Sequence, residues 1–342
     1  MRKKEKKMYP VPYHCKNNAE HVESILQTVK KGKVQLLGHS AGGREIKSVE
    51  YGQPNQYTRR ANYSSAMGAG DYSCYAQKDH PCLVIIGGVH GGEFEGTAAM
   101  CNLISLLETG VDLAGNRQDI LLSLLENVHL ILVPRANPDG RDRMPFEGVG
   151  GMSFEEFRHW DQGNWSDGSL CGWPDCKKEH PIRSISFLGG YYNDNGINLM
   201  HDNFFDPMAE ETRVLLRLTA ENAPDMVWNL HGSADAGYGI YCGALSQIQR
   251  ERAMELETRL DRCFTAKGRN YEVTDCGKVD PSINLTTAIS FACGALSITW
   301  ESYQGVNGKS GEATADVYDR ILEAHYDFFT ESLRYLWEWY QK

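Results

Sequence analysis

Continuous apolar runs recur along the chain, and segments with helical spacing separate most of them. Runs that are continuous rather than alternating are typical of strands buried on both faces of a sheet. Strand-like and helix-like segments that alternate in this way predict an α/β fold, a mixed but largely parallel β-sheet flanked by helices. The apolar runs occupy residues 82–86, 127–133, 226–230 and 295–300. The helical segments occupy residues 95–109, 117–125, 208–222, 245–266 and 312–340.

The flanking regions have other patterns. Residues 18–31 have helical periodicity, and two short strand-like segments follow around the turn Ser40–Gly43. Residues 141–195 contain several tryptophans and many glycines but little periodicity. This predicts a long loop insertion that crosses the edge of the sheet near the functional site. No repeat or linker divides the chain, so we expect a single domain spanning residues 1–342.

Composition and charge exclude several kinds of partner. The net charge of −10 argues against nucleic acid, which binds basic surfaces. No stretch approaches the roughly 18 apolar residues that cross a bilayer, so no membrane partner is expected. Residues 1–15 form a basic extension without the apolar segment of a signal peptide, which predicts a cytoplasmic protein. Nothing in the sequence indicates the oligomeric state.

The ten cysteines are expected to be reduced thiols in such a protein. Cys171 and Cys176 stand close together, and they could close a disulfide or bind a second metal ion. No matching pair lies nearby, which favours two separate loop thiols.

Three apolar runs end in residues that can bind a metal ion or move protons. His90 and Glu93 follow the first run, with two glycines between them, His231 follows another, and Glu301 follows the last. Ligands bind beyond the carboxyl ends of the strands in open α/β sheets, so these four side chains are expected to meet in one cleft. Imidazole and carboxylate groups bind zinc, and a catalytic zinc site has three protein ligands and one open position. The pattern predicts a metal-dependent hydrolase.

The chain also resembles a known family, the zinc carboxypeptidases of peptidase family M14 (carboxypeptidase A-like). The resemblance covers most of the chain, because five segments occur in the order of that family. It implies the α/β fold of these enzymes and a peptide or other small amide as the substrate. The five segments are Leu37–Ile46, Gly87–Gly96, Pro134–Gly140, Asn229–Gly232 and Ile298–Glu301.

The resemblance also implies roles for individual residues. His90, Glu93 and His231 correspond to the ligands of one Zn²⁺ per chain, and Glu301 corresponds to the general base. Zinc lowers the pKa of a water from about 15.7 toward about 7, and a base then takes its proton as the water attacks a carbonyl. The implied activity is that of a metallocarboxypeptidase, which releases C-terminal residues.

One segment departs from the family pattern. Family members carry an Asn-Arg pair that binds the terminal carboxylate of the substrate, and Met200 and His201 stand in its place. Neither offers the planar two-donor fork of arginine, and a protonated His201 would bind an anion only weakly near neutral pH. Asn198 stands where the family has an aspartate that orients a zinc-binding histidine. The family's tyrosine has no counterpart at residues 279–283.

Substrate contacts are expected from Met200, His201 and Arg141. For the arginine that stabilises the oxyanion, the candidates are Arg141, Arg143 and Arg183. Arg183 is favoured because it lies fifteen residues before Asn198, near the position of that arginine in the family.

Three other functions stay open. An amidase or deacylase acting on muropeptides or acylated amino acids would not depend on an arginine fork. A non-catalytic relative would have no need of Glu301. A serine hydrolase is suggested by Gly38-His-Ser40-Ala-Gly42, which matches a nucleophile elbow, although a second short strand follows where a helix is required.

Overall fold

The computed structural model describes residues 8–56, 60–62, 79–234, 237–276, 283–308 and 312–340. An eight-stranded sheet forms its centre, in the order β1-β2-β4-β3-β7-β10-β8-β9, and β5 and β6 form a small second sheet. The strands are β1 (Lys33–His39), β2 (Glu45–Tyr51), β3 (Cys82–Gly87), β4 (His129–Val133), β5 (Asn164–Trp165), β6 (Ile185–Phe187), β7 (Met226–Ser233), β8 (Gly237–Tyr241), β9 (Tyr271–Glu272) and β10 (Leu296–Tyr303). The described α-helices are α1 (Ala19–Leu26), α2 (Glu95–Thr109), α3 (Asp119–Leu125), α4 (Pro138–Arg143), α5 (Phe154–Gln162), α6 (Glu210–Asn222), α7 (Gln247–Ala266), α8 (Leu285–Cys293) and α9 (Val317–Tyr340).

The middle of the large sheet is parallel. Strands β4, β3, β7 and β10 run in one direction, whereas β2 and β8 join them antiparallel on either side. Every residue of β3 and of β4 is buried, because helices cover both faces of the sheet. The α/β prediction is therefore confirmed, and the four continuous apolar runs correspond to these four parallel strands.

Each face of the sheet has its own hydrophobic core. On one face, Trp228 and Trp300 stack on two phenylalanines of α9, and the rings of Trp300 and Phe328 are 4.2 Å apart. On the other face, Val227 and its neighbours pack with residues of α6 and α8. Successive side chains of a strand point to opposite faces. His231 and Glu301 therefore emerge on the α6 and α8 face, opposite the tryptophans.

The prediction that residues 141–195 form a loop with little regular structure was wrong in part. This segment contains helix α5 and the antiparallel pair β5 and β6. Ser153 caps α5 by accepting a hydrogen bond from the amide of Glu156, and Gly163 ends the helix with a φ of +82°. The Ser153-x-x-Glu156 sequence is a recognised helix-start pattern, so this helix was predictable from local sequence.

The remaining predictions have mixed outcomes. The helix predicted over residues 18–31 ends already at Leu26.

Cys171 and Cys176 are buried free thiols, and burial raises the pKa of Cys171 to about 12. Within the described ranges, no helix is both long and apolar enough to cross a membrane.

Candidate metal centre

The carboxyl ends of three neighbouring strands position the candidate residues. The segment after β3 carries His90 and Glu93, β7 carries His231 near its end, and β10 carries Glu301. In the parallel register, Glu301 lies opposite His231. The structure thus brings together four side chains that are far apart in sequence.

Three of these side chains form a compact buried cluster. Nδ1 of His90 lies 2.8 Å from one carboxylate oxygen of Glu93, and Nδ1 of His231 lies 2.7 Å from the other. The three possible ligand atoms are all within 4.8 Å of one another. Two imidazoles and a carboxylate in this arrangement could hold one zinc-sized cation and leave a position open.

Two glycines allow the backbone to bend between His90 and Glu93. A Cβ atom on Gly91 would lie 2.1 Å from the backbone carbonyl carbon of Gly140, and one on Gly92 would lie 2.2 Å from a carboxylate oxygen of Asp161. The carboxylate of Asp161 also holds this loop in place, since it accepts a hydrogen bond from the backbone amide of Gly92 over 2.8 Å. Only glycine permits such a close approach of backbone and neighbour.

Replacing Gly91 with Ala is therefore expected to distort the cluster. The added methyl group meets backbone atoms that cannot rotate away, and overpacking of this kind costs about 2 kcal/mol or more. We expect a lower urea midpoint together with weaker zinc binding. The matched control is Gly237→Ala in β8, where a Cβ would have no neighbour nearer than 3.5 Å. Equal losses in both variants would contradict this explanation.

Asn198 fixes the orientation of His90. One side-chain atom of Asn198 lies 3.0 Å from the backbone N–H of Met200. Because only the amide oxygen can accept this hydrogen bond, that atom is Oδ1. The same oxygen lies 3.2 Å from Nε2 of His90 and can accept a proton carried there. With the proton on Nε2, Nδ1 would keep the lone pair that a metal ligand requires. The ring of His90 also stacks on Tyr191, with centroids 3.8 Å apart.

Acidic groups dominate the electrostatics of the cluster. Burial alone would raise the pKa of Glu93, but His90 and His231 bring it down to about 2. Burial, followed by the charges of Glu93 and Glu95, raises the pKa of Glu301 well above its usual value. Burial also raises the pKa of Glu95 to about 8 and, together with Glu93, raises that of Asp161. A divalent cation would relieve this crowding of negative charge, which fits a metal in the cluster.

Met200 and Arg141, which were expected to contact the substrate, make buried contacts within the protein. Met200 is buried, and its sulfur accepts a hydrogen bond from Nδ2 of Asn229 over 3.2 Å. Arg141 is also buried, with its guanidinium over the ring of Phe94 and bonded to Asn17 and two backbone carbonyls. Both side chains support the surrounding loops, and the substrate contacts expected of them stay predictions.

The other predicted residues have different surroundings. His201 is half-buried, and its ring stacks on Trp173 with centroids 5.1 Å apart. Burial and the nearby charge of Lys177 lower the pKa of His201 to about 3, so the ring is neutral at physiological pH. A neutral ring does not bind an anion through charge, and the substrate contact expected of His201 stays a prediction. Arg183 is exposed and makes no ion pair with any residue in the described ranges, and its proposed oxyanion role stays a prediction.

The site also contains residues that sequence reasoning missed. Tyr191 stacks on His90, and Asp161 lies at the end of α5, inside the segment expected to be a loop. Tyr238 lies opposite Glu301 in the antiparallel register of β8 and β10. No local pattern marks the two tyrosines. Of the stretch 279–283, which contains no tyrosine, only Ile283 lies within the described residues.

The surroundings of Ser40 do not suit a serine nucleophile. Ser40 lies in the hairpin between β1 and β2, and its buried hydroxyl donates to Asp139. A nucleophile elbow requires a strand, a sharp turn and a helix. The hairpin therefore excludes the serine hydrolase suggested by the sequence.

Most of the chain matches one known family of enzymes. The zinc carboxypeptidase family matches residues 23–278, a range that includes His90, Glu93 and His231 but ends before Glu301. The chain belongs to the zinc carboxypeptidase family. The resemblance found in the sequence is thereby confirmed. This zinc carboxypeptidase family member is a hydrolase, and the cofactor of its family is zinc.

Solved structures of carboxypeptidases share its fold. A metallo-carboxypeptidase from Burkholderia cenocepacia has a TM-score of 0.55 at 16% identity, covering 94% of this chain and 70% of the other. A metallo-carboxypeptidase from Pseudomonas aeruginosa, in complex with (2-guanidinoethylmercapto)succinic acid, has a TM-score of 0.54 at 17% identity, covering 92% and 68%. Carboxypeptidase A from Helicoverpa armigera has a TM-score of 0.55 at 15% identity, covering 98% and 76%. No curated protein matches the sequence. At these identities the likeness concerns the fold alone.

Proposed function

We propose that this zinc carboxypeptidase family member is a metallocarboxypeptidase that releases C-terminal residues from peptides. In this proposal His90, Glu93 and His231 hold one Zn²⁺, and Glu301 is the general base. The observation that carries it is the position of Glu301, directly opposite His231 in the sheet but outside the group of three possible ligands. A protein that only bound a metal would have no need of this fourth carboxylate.

The proposed mechanism follows from the surroundings of each residue. Zinc bound to the three ligands would supply acidification of a water and polarisation of a carbonyl. Glu301 accepts the proton of the attacking water and later donates it to the leaving amine nitrogen. A base that must also act as an acid works best with a pKa near the working pH, and the raised pKa of Glu301 suits that exchange. Glu93, which the two histidines keep ionised, remains a ligand throughout.

A second candidate function is an amidase or deacylase acting on muropeptides or acylated amino acids. The observation that favours it is the absence of an arginine fork at Met200 and His201. Met200 faces the core and the imidazole of His201 is neutral, so neither side chain binds the terminal carboxylate of a substrate through charge. The two candidates share the same metal chemistry and differ in what lies beyond the scissile amide.

Metal analysis combined with a peptide-library digest tests the proposal. We expect close to one zinc per chain and stepwise loss of C-terminal residues, abolished by a chelator and restored by added zinc. Release of acyl groups or cleavage of muropeptide amides, without C-terminal trimming, would favour the amidase. Full hydrolysis by protein freed of metal would overturn both candidates.

A further inference from the structure

The C-terminal end of α5 lies against the loop that carries His90 and Glu93. Asp161, in the last turn of this helix, is fully buried. Its carboxylate accepts the backbone N–H of Gly92 over 2.8 Å. A residue of α5 therefore holds the candidate metal-binding loop, although the helix and the loop are distant in the sequence.

The same helix end also holds Tyr191. The backbone carbonyl of Asp161 accepts the N–H of Tyr191 over 2.7 Å, and the side-chain amide of Gln162 donates to the Tyr191 hydroxyl over 3.1 Å. A further hydrogen bond joins the two held segments to each other, because the N–H of Gly91 donates to the carbonyl of Gly190 over 2.8 Å. Both the main chain and the side chain of Tyr191 are thus fixed relative to the metal-binding loop.

Tyr191 covers one face of the His90 ring. The two rings are stacked, with centroids 3.8 Å apart and an angle of 15° between their planes. The ring of His231 meets that of His90 nearly at a right angle, with centroids 4.8 Å apart. Two aromatic neighbours, together with the side-chain oxygen of Asn198 at Nε2, therefore restrict the rotation of the His90 ring.

We propose that Tyr191 is a positioning residue for His90, and that the end of α5, through Asp161 and Gln162, holds it against the imidazole. This inference rests on the zinc ligands of the proposed function and adds a second contact that orients one of them. The usual orienting partner binds the other ring nitrogen, as Asn198 does here, whereas Tyr191 acts on the face of the ring. A ring already held in its binding orientation loses less conformational freedom when the metal binds, which strengthens binding.

The experiment compares the zinc affinity of Tyr191→Leu with that of Tyr191→Phe and Tyr192→Leu, measured by competition with a chromogenic chelator. Leucine at position 191 removes the stacked ring, whereas phenylalanine keeps the ring and removes only the bond to Gln162. Tyr192→Leu removes an adjacent buried ring that belongs to the cluster around Cys171 and Ile182. We expect Tyr191→Leu to weaken zinc binding about 10-fold or more, and both other variants to stay close to wild type. Tyr191→Met, which fills more of the space, repeats the comparison if the leucine variant does not fold.

Cobalt(II) in place of zinc provides a readout that a loss of stability alone does not change. The visible absorption of bound Co²⁺ depends on the geometry of its ligands. We expect the absorption bands to shift in Tyr191→Leu and to remain as in the wild type in Tyr191→Phe and Tyr192→Leu. Wild-type affinity with an unshifted spectrum in Tyr191→Leu, or equal losses in Tyr192→Leu, would overturn the inference and leave the hydrolytic proposal standing. A wild type that binds zinc but hydrolyses no peptide would contradict the proposed function alone.

Discussion

Replacing Glu301 with Gln is expected to lower kcat by about 10³-fold or more while zinc stays bound. The amide keeps the size and shape of the side chain but cannot accept a proton from the attacking water. The three candidate ligands do not include Glu301, so the zinc content should remain near one per chain. Initial rates on a peptide substrate and metal analysis of the same preparation measure the two quantities together.

A nearby exposed carboxylate provides the control. Glu272 lies in β9, at the edge of the same sheet, and its charge influences Tyr238, which pairs with Glu301. We expect Glu272→Gln to keep the wild-type kcat. A Glu301→Gln enzyme with undiminished kcat would refute its assignment as the base, whatever the substrate is.

Replacing Glu93 with Gln is expected to weaken zinc binding by at least about 100-fold and to abolish hydrolysis. The carboxylate lies between the Nδ1 atoms of His90 and His231, and its negative charge contributes directly to holding a cation. A neutral amide is a poor zinc ligand, and removing a ligand costs more than the 10- to 100-fold typical of removing an outer partner. Competition with a chromogenic chelator measures the affinity.

Asn198→Ala gives the matched comparison for Glu93→Gln. Asn198 contacts His90 through Nε2, the nitrogen that faces away from Glu93. Its removal is expected to weaken zinc binding by about 10- to 100-fold, less than the loss of Glu93. If Glu93→Gln retained zinc more tightly than Asn198→Ala, the assignment of Glu93 as a ligand would be wrong.

Local sequence patterns were sufficient to predict the parallel strands and the side chains at their ends. Strands covered by helices on both faces must be apolar along their whole length, so they stand out as continuous runs. The carboxyl ends of adjacent parallel strands share one edge of the sheet, which explains why His90, His231 and Glu301 could be expected to meet. Helix α5 was also predictable, from the cap that Ser153 provides, but its position beside Gly92 was not.

The α/β fold, the family and the set of residues able to hold a metal follow from local patterns in the sequence. Which neighbouring groups act on that set depends on how distant segments pack together. Met200 and His201 are adjacent, yet one enters the core against Asn229 and the other stacks on Trp173. Arg141 likewise donates to Asn17, which is distant in the sequence. Orientation and protonation depend on burial and on charges brought close by folding, and these contacts between distant segments leave no periodic pattern in the sequence.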